Sequence, residues 1–338
     1  MSLAQITREA RFSLKIGGLI IVSLILIFLV FQGGLFIKNF LFPQPPTPAE
    51  EKFGSLPTLV FPESTNSLPE FKLNTVSGNF PSFPSTILVY KLQQKTPKVS
   101  DYQSARNRAA SLGYTQNQQA INQSLYKWSK SNANNVLFYD ITSLNFSVES
   151  DYLTDPNLIP SPLSNTEDVT EAILSFIHTL GASTSDIDLS KSPIFYYNIS
   201  SGQLVEAESA INATVARIFL KQQDVNELPI YYPTSNPSSL YITTTSDTTS
   251  GVVHANYNHF LPDLNDSSTY KLRSAESAFE DLKKGKGYIV RPTTASTIDI
   301  TDISLGYYLS TESSQKYLMP IIVFTGANNF QAYLSALP

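Results

Sequence analysis

Most of this chain alternates apolar and polar residues in short runs, and only three stretches of the region beyond residue 85 repeat at helical spacing. Residues 101–112 set Tyr102, Ala105, Ala109 and Leu112 on one face ahead of Gly113. Residues 164–167, Ser-Asn-Thr-Glu, have capping-box form. They open a run in which Val169, Ala172, Ile173, Phe176, Ile177 and Leu180 recur every three or four residues until Gly181. Around 274–284 the apolar positions are Ala275, Ala278, Phe279 and Leu282. Lys283 and Lys284 suit the C-terminal end, and Gly285 is the stop. Strand signals fill the rest: 86–92, 124–130 and 136–141 around a turn at 131–135, then 193–199, 213–220, 229–232, 239–245, 251–257, 298–308, 317–324 and 330–337. Helix followed by hairpin strands occurs three times. The pattern predicts an α+β fold of two or three units, each with a helix covering an antiparallel sheet that has one wet face.

A longer apolar stretch precedes these units. The run that opens at Ile16 and closes at Ile37 carries no charge, and as a helix it is long enough to cross a hydrocarbon core of about 30 Å. Arg8, Arg11 and Lys15 lie before it, and a Pro-rich segment with Glu50 and Glu51 lies beyond. The charge bias puts the N-terminus in the cytoplasm and the rest outside the plasma membrane. The stretch exceeds a signal-peptide core, and bulky Phe36, Ile37, Phe40 and Phe42 close it, so it reads as an uncleaved anchor. The expected organisation is a tail (1–15), a single transmembrane helix (16–38), a Pro-rich spacer and extended segment (39–84), a first α+β unit (85–160) and a larger region (161–338) holding two units, 161–262 and 263–338.

Composition narrows the function. Charged residues make up 15% of the chain, below the usual share of about 25%. The net charge of −5 provides no basic footprint for nucleic acid. With no cysteine, disulfide frameworks, thiolate metal sites and cysteine nucleophiles are excluded. His178 falls off its helix's apolar stripe and reads as solvated, and His254 and His259 are five apart, a wrong spacing for two ligands on one helix face. Two S-x-x-K strings, at Ser124 and Ser313, lack a K-T-G partner. The string from Lys284 to Gly287 ends a helix rather than opening one, which argues against phosphate binding. Asp299, Asp302 and Glu312 lack calcium-loop spacing. No catalytic, cofactor or metal set emerges, and the chain reads as a non-enzyme without cofactor.

Surplus tyrosine on strands is more distinctive. In the pairs at 196–197, 231–232 and 307–308, one ring fills core while the other faces out, so Tyr197, Tyr232 and Tyr308 form a candidate interaction surface. The alternative is that outer tyrosines reflect β propensity alone.

Residues 197–205 (YNISSGQLV) resemble the strand-turn-strand ending of PepSY-type units. Residues 268–287, 300–309 and 317–326 resemble the closing unit of YycH/YycI-type proteins, and 215–233 is similar to their middle strands. The resemblance, over roughly 165–338, implies a single-pass, N-in accessory regulator of an envelope histidine kinase. The expected function is thus a membrane-anchored extracytoplasmic binding or regulatory protein with an envelope protein partner. The alternatives are an envelope hydrolase or peptidase, and a structural component of a secretion or division complex.

Overall fold

The computed structural model describes residues 48–338 apart from 63–67, 94–97, 132–133, 160–162, 164–165, 247 and 311–314. The expected tail, the transmembrane helix and spacer residues 39–47 lie outside the described residues, as do Ser164, Asn165 and Glu312. Among the described residues no helix is long and apolar enough to cross a membrane.

Strands β1 (Glu70–Leu73) and β2 (Thr86–Leu92) precede helix α1 (Val99–Ser111). Strands β3 (Gln116–Ala120), β4 (Leu125–Ser129), β5 (Val136–Asp140) and β6 (Phe146–Glu149) lead to α2 (Thr166–Thr179). Then come β7 (Ile194–Ser200), β8 (Gln203–Glu206), β9 (Val215–Phe219), β10 (Ile230–Tyr231), β11 (Tyr241–Thr244), β12 (Val252–Tyr257) and β13 (Pro262–Lys271). Helix α3 (Ala275–Lys283), β14 (Tyr288–Arg291), β15 (Thr297–Tyr308), β16 (Tyr317–Gly326) and β17 (Phe330–Ser335) complete the chain.

These strands form two large sheets. One has the order β3-β4-β5-β6-β12-β11-β9-β7-β8, and the other runs β1-β15-β16-β17-β14, with β2 joining β16 to β13 and β10 added to β15. The α+β expectation is therefore corrected. The chain is mostly β, and repeated PepSY-like units of one helix on its own sheet are not what it builds. Long-range pairing is the physical reason. β6 pairs with β12, more than a hundred residues away, so 85–160 and 161–262 share one sheet. β2 leaves that stretch to pair with β13 and β16, and β10 leaves its own to pair parallel with β15. Local periodicity carries no information on such partners.

Helices α1 and α2 cover one face of the nine-stranded sheet. Ala105, Ala109 and Leu112 from α1 and Val169, Ile173, Phe176 and Ile177 from α2 are buried in one cluster with Trp128, Leu137, Phe146, Ile218 and Ile242. The C-terminal end of α2 is tied down by side chains. The Leu180 carbonyl accepts from the Tyr139 hydroxyl, and the Arg108 guanidinium lies 3.5 Å from it, a cation at the negative end of the helix. Gly181 then turns the chain at φ +76, and a Cβ there would meet the Arg108 guanidinium at 2.5 Å. The positive φ favours glycine, while the Arg108 side chain would have to move for any larger residue.

Helix α3 covers the other sheet, with Ala278, Phe279 and Leu282 packed on Ile300, Ile322 and Phe324. Strand β16 is buried along almost its whole length, which accounts for the unbroken apolar run from Leu318 to Phe324. Beside it, Gly306 in β15 makes room for β10: a Cβ would stand 2.5 Å from the Tyr231 ring and 3.0 Å from the Pro229 carbonyl. Gly306→Ala is expected to push β10 off its seat at a cost of about 1–3 kcal/mol. Denaturant unfolding of the variant measures that loss. An unchanged midpoint would show that β10 yields without cost.

Candidate functional site

Where the two sheets approach each other they leave an open cleft of about 780 Å³, a volume in the range of ligand pockets. One wall is the face of β5 and β6 turned away from the helices, with Phe138, Asp140, Ser147 and Glu149. The turn at 142–145, the loop after α2 (Gly181, Ala182, Ser183) and the crossover from β12 to β13 (Asn258, His259, Phe260, Leu261) complete that side. Leu92, Gln93 and Gln315 close it from the eight-stranded side.

Of the two acidic residues lining the cleft, Glu149 is exposed and Asp140 is already engaged. Asp140 ends β5 and organises the turn: Oδ1 accepts from the Thr142 N–H at 2.9 Å, the Thr142 hydroxyl at 2.8 Å and the Ser143 N–H at 2.9 Å. Oδ2 accepts from the Ser124 hydroxyl at 2.6 Å. Burial works to raise the Asp140 pKa, but these donors outweigh it and hold the carboxyl below its usual range. Asp140 is an ionised turn organiser.

Behind the cleft wall a second network joins the two sheets. His259 is buried, and its Nε2 lies 2.9 and 3.0 Å from the two oxygens of Asp186. Burial pushes the Asp186 pKa up, and the His259 and Gln222 hydrogen bonds more than reverse this, so the carboxylate is ionised. An ionised carboxylate only accepts, so Nε2 carries the proton. The Gln222 Nε2 donates to Asp186 at 2.8 Å and to the Phe260 carbonyl at 3.1 Å, while the Tyr232 hydroxyl donates to Gln222 Oε1 at 2.9 Å. From the other side, the His259 N–H donates to Asn145 Oδ1 at 3.0 Å. Tyr232, next to β10, thus connects through Gln222, Asp186 and His259 to Asn145 at the head of β6.

An imidazole oriented by a carboxylate is half of a base–nucleophile arrangement. Among the described residues no serine or threonine hydroxyl is bonded to His259, and no group of three or more His, Asp or Glu is placed to hold a metal. As it stands, the arrangement positions the crossover loop along the cleft.

The residues singled out from sequence scatter. Tyr232 and Tyr308 are buried in two separate clusters and present no outward ring, so neither belongs to an interaction surface. Tyr197 is half-buried on the helix-free face of the nine-stranded sheet. His178 is exposed and bonds Thr184 at 2.8 Å. His254 is half-buried between the Tyr152 and Tyr241 rings, and its Nδ1 is buried with no partner among the described residues. Asp186 and Gln222 escaped sequence reading because nothing marks them: each lies in a connecting segment, and their meeting with His259 is made by the fold. No family model, curated protein or solved structure matches the chain.

Proposed function

We propose that this is a membrane-anchored extracytoplasmic binding protein of the cell envelope whose inter-sheet cleft holds its ligand. One observation carries the reading: a cleft of about 780 Å³ at the meeting of two sheets, its walls set by polar groups that satisfy one another. Such walls are pre-organised, which lowers the ordering cost of binding. The anchor and its orientation rest on the uncharged run from Ile16 to Ile37 and the basic residues before it. Regulation of a sensor kinase is one use of a binding event at this position.

The absence of native cysteine makes the test direct. Asn258→Cys places a single thiol on the cleft wall, and Gln119→Cys places one on the exposed edge strand β3. In intact cells a membrane-impermeant maleimide is expected to label both. Native envelope material restored to stripped membranes is expected to slow labelling at 258 and leave 119 unchanged. Labelling only after lysis would overturn the location, and equal rates at both sites would overturn the cleft.

A further inference from the structure

The face of the nine-stranded sheet turned away from α1 and α2 carries a second feature, separate from the polar network of the cleft. The strand registers align Phe195 of β7, Arg217 of β9, Thr243 of β11 and His254 of β12 in one row across four strands. Beside that row a continuous ribbon of rings runs from Phe195 to Phe219 at 5.7 Å, to Tyr241 at 6.0 Å, to His254 at 5.3 Å and to Tyr152 at 6.1 Å.

Arg217 lies at the centre of this ribbon, half-buried and fixed on three sides. Its Nε donates to the Thr243 hydroxyl at 2.8 Å, an Nη2 hydrogen reaches the Tyr152 hydroxyl at 3.2 Å, and its carbon stands 5.2 Å from the Tyr241 ring centre. Arginine has five N–H donors in a rigid fork. Two are used, and no carboxylate among the described residues pairs with the guanidinium. The acidic residues of this face stand away from it. Glu149 ends β6, three strands from Arg217, and Glu206 pairs with Tyr197 two strands away; both are exposed. Burial first, and then the nearby Arg217, lower the His254 pKa, so the imidazole is neutral and adds no second charge.

We propose that Arg217 is a recognition site for a carboxylate carried by a peptide partner, with the flanking rings of Phe195, Tyr241 and His254 receiving the apolar side chains beside it. A pre-ordered guanidinium with its open edge free matches a carboxylate through two parallel N–H···O bonds. Partial burial strengthens that pair relative to one in open water. A positive charge with no internal partner, set among apolar and aromatic rings, is complemented by an acidic residue flanked by apolar ones. The aromatic and arginine content is that of a binding hot spot.

The test uses the full chain in detergent micelles and three fluorescent peptides: N-acetyl-Phe-Asp-Phe-amide, its Asn counterpart, and N-acetyl-Phe-Asn-Phe with a free C-terminus. The Asp peptide is expected to bind at least about tenfold more tightly than the Asn amide, a preference abolished in Arg217→Gln. In Arg217→Lys it is expected to survive only in part, because an ammonium lacks the fork. If the free-terminus peptide gains as much as the Asp peptide, the site accepts a carboxylate from a chain end or a side chain alike; if it gains nothing, the site takes a side chain. Both outcomes keep the site. Equal binding of the Asp and Asn peptides to the wild-type chain overturns the proposal. So does a preference that persists in Arg217→Gln, or displacement by phenyl phosphate at concentrations tenfold below those required of benzoate. Should Arg217→Gln fail to fold, Arg217→Lys and the wild-type peptide comparison decide.

Discussion

Asp186→Ala is expected to lower folding stability by about 3 kcal/mol, because it strips a partner from two buried donors at once, and an unsatisfied buried group costs about 1–3 kcal/mol. His259 Nε2 and Gln222 Nε2 both point at this carboxylate, and Gln222 is almost wholly buried. The Asp186 side chain keeps 23% of its surface, so water reaches part of the vacated space and holds the loss below that of a sealed pair. At about 2–4 °C per kcal/mol for a domain of this size, the melting temperature should fall by roughly 6–12 °C. Asp186→Asn retains the shape and removes the charge, and its signature is in the pH dependence. The folded pKa of Asp186 is depressed, so its contribution is fully present above the ordinary carboxylate value of about 4 and is lost as pH falls through the lower folded value. Denaturant midpoints between about pH 5 and 2 should fall less steeply in Asp186→Asn than in the wild type. Parallel profiles would mean that the carboxylate's charge does nothing for the fold.

This network also marks the limit of what the sequence made legible. Elements with their own period are legible: the stripe of α2 and the strand TILVYKL at β2. The β7–β8 hairpin, expected only from the resemblance at YNISSGQLV, turns through Ser201 and Gly202 at φ 51 and 73. Elements without a period were missed. Strand β3, QNQQA, is exposed at every position and owes its extension to pairing with β4. Strand β13 pairs with β2 through a register shift between Pro262 and Ser267, which breaks any alternation. Tyr232 and Tyr308, expected to face outward, are buried for the same reason. The expectation places each pair on a sheet with one wet face, but the C-terminal end of β15 is covered on both sides, and Tyr307 and Tyr308 are alike buried. Tyr197 lies at the sheet's helix-free face and keeps its partial exposure. Whether a face is wet depends on what packs over it, and here the covering residues come from distant parts of the chain. The cleft follows the same logic: Asp140, His259 and Gln315 converge from three separate stretches of sequence.

Phe176→Ala should destabilise the helix-covered face by about 3–5 kcal/mol, a melting temperature lower by at least about 6 °C. Phe176 is fully buried in α2 and meets Phe146 edge-on at 5.7 Å. Phe146 stacks on Tyr257 at 5.0 Å, and the Tyr257 ring lies 5.3 Å from His259, while its hydroxyl donates to the Ser183 carbonyl at 2.6 Å. The cavity left by the truncation would therefore open behind the cleft wall, beneath both His259 and the loop that follows α2. Phe279→Ala in α3 supplies the comparison. It removes a ring of equal size from the other sheet's core, where its neighbours are Phe80 and Phe324. Similar losses of stability are expected from the two truncations, but only Phe176→Ala should also raise the labelling rate of a cysteine at 258 under conditions where both variants stay folded. An equal rise in both would mean that the cleft responds to global stability alone. A rise confined to Phe176→Ala would identify the Phe176–Phe146–Tyr257 stack as the element that transmits core packing to the cleft.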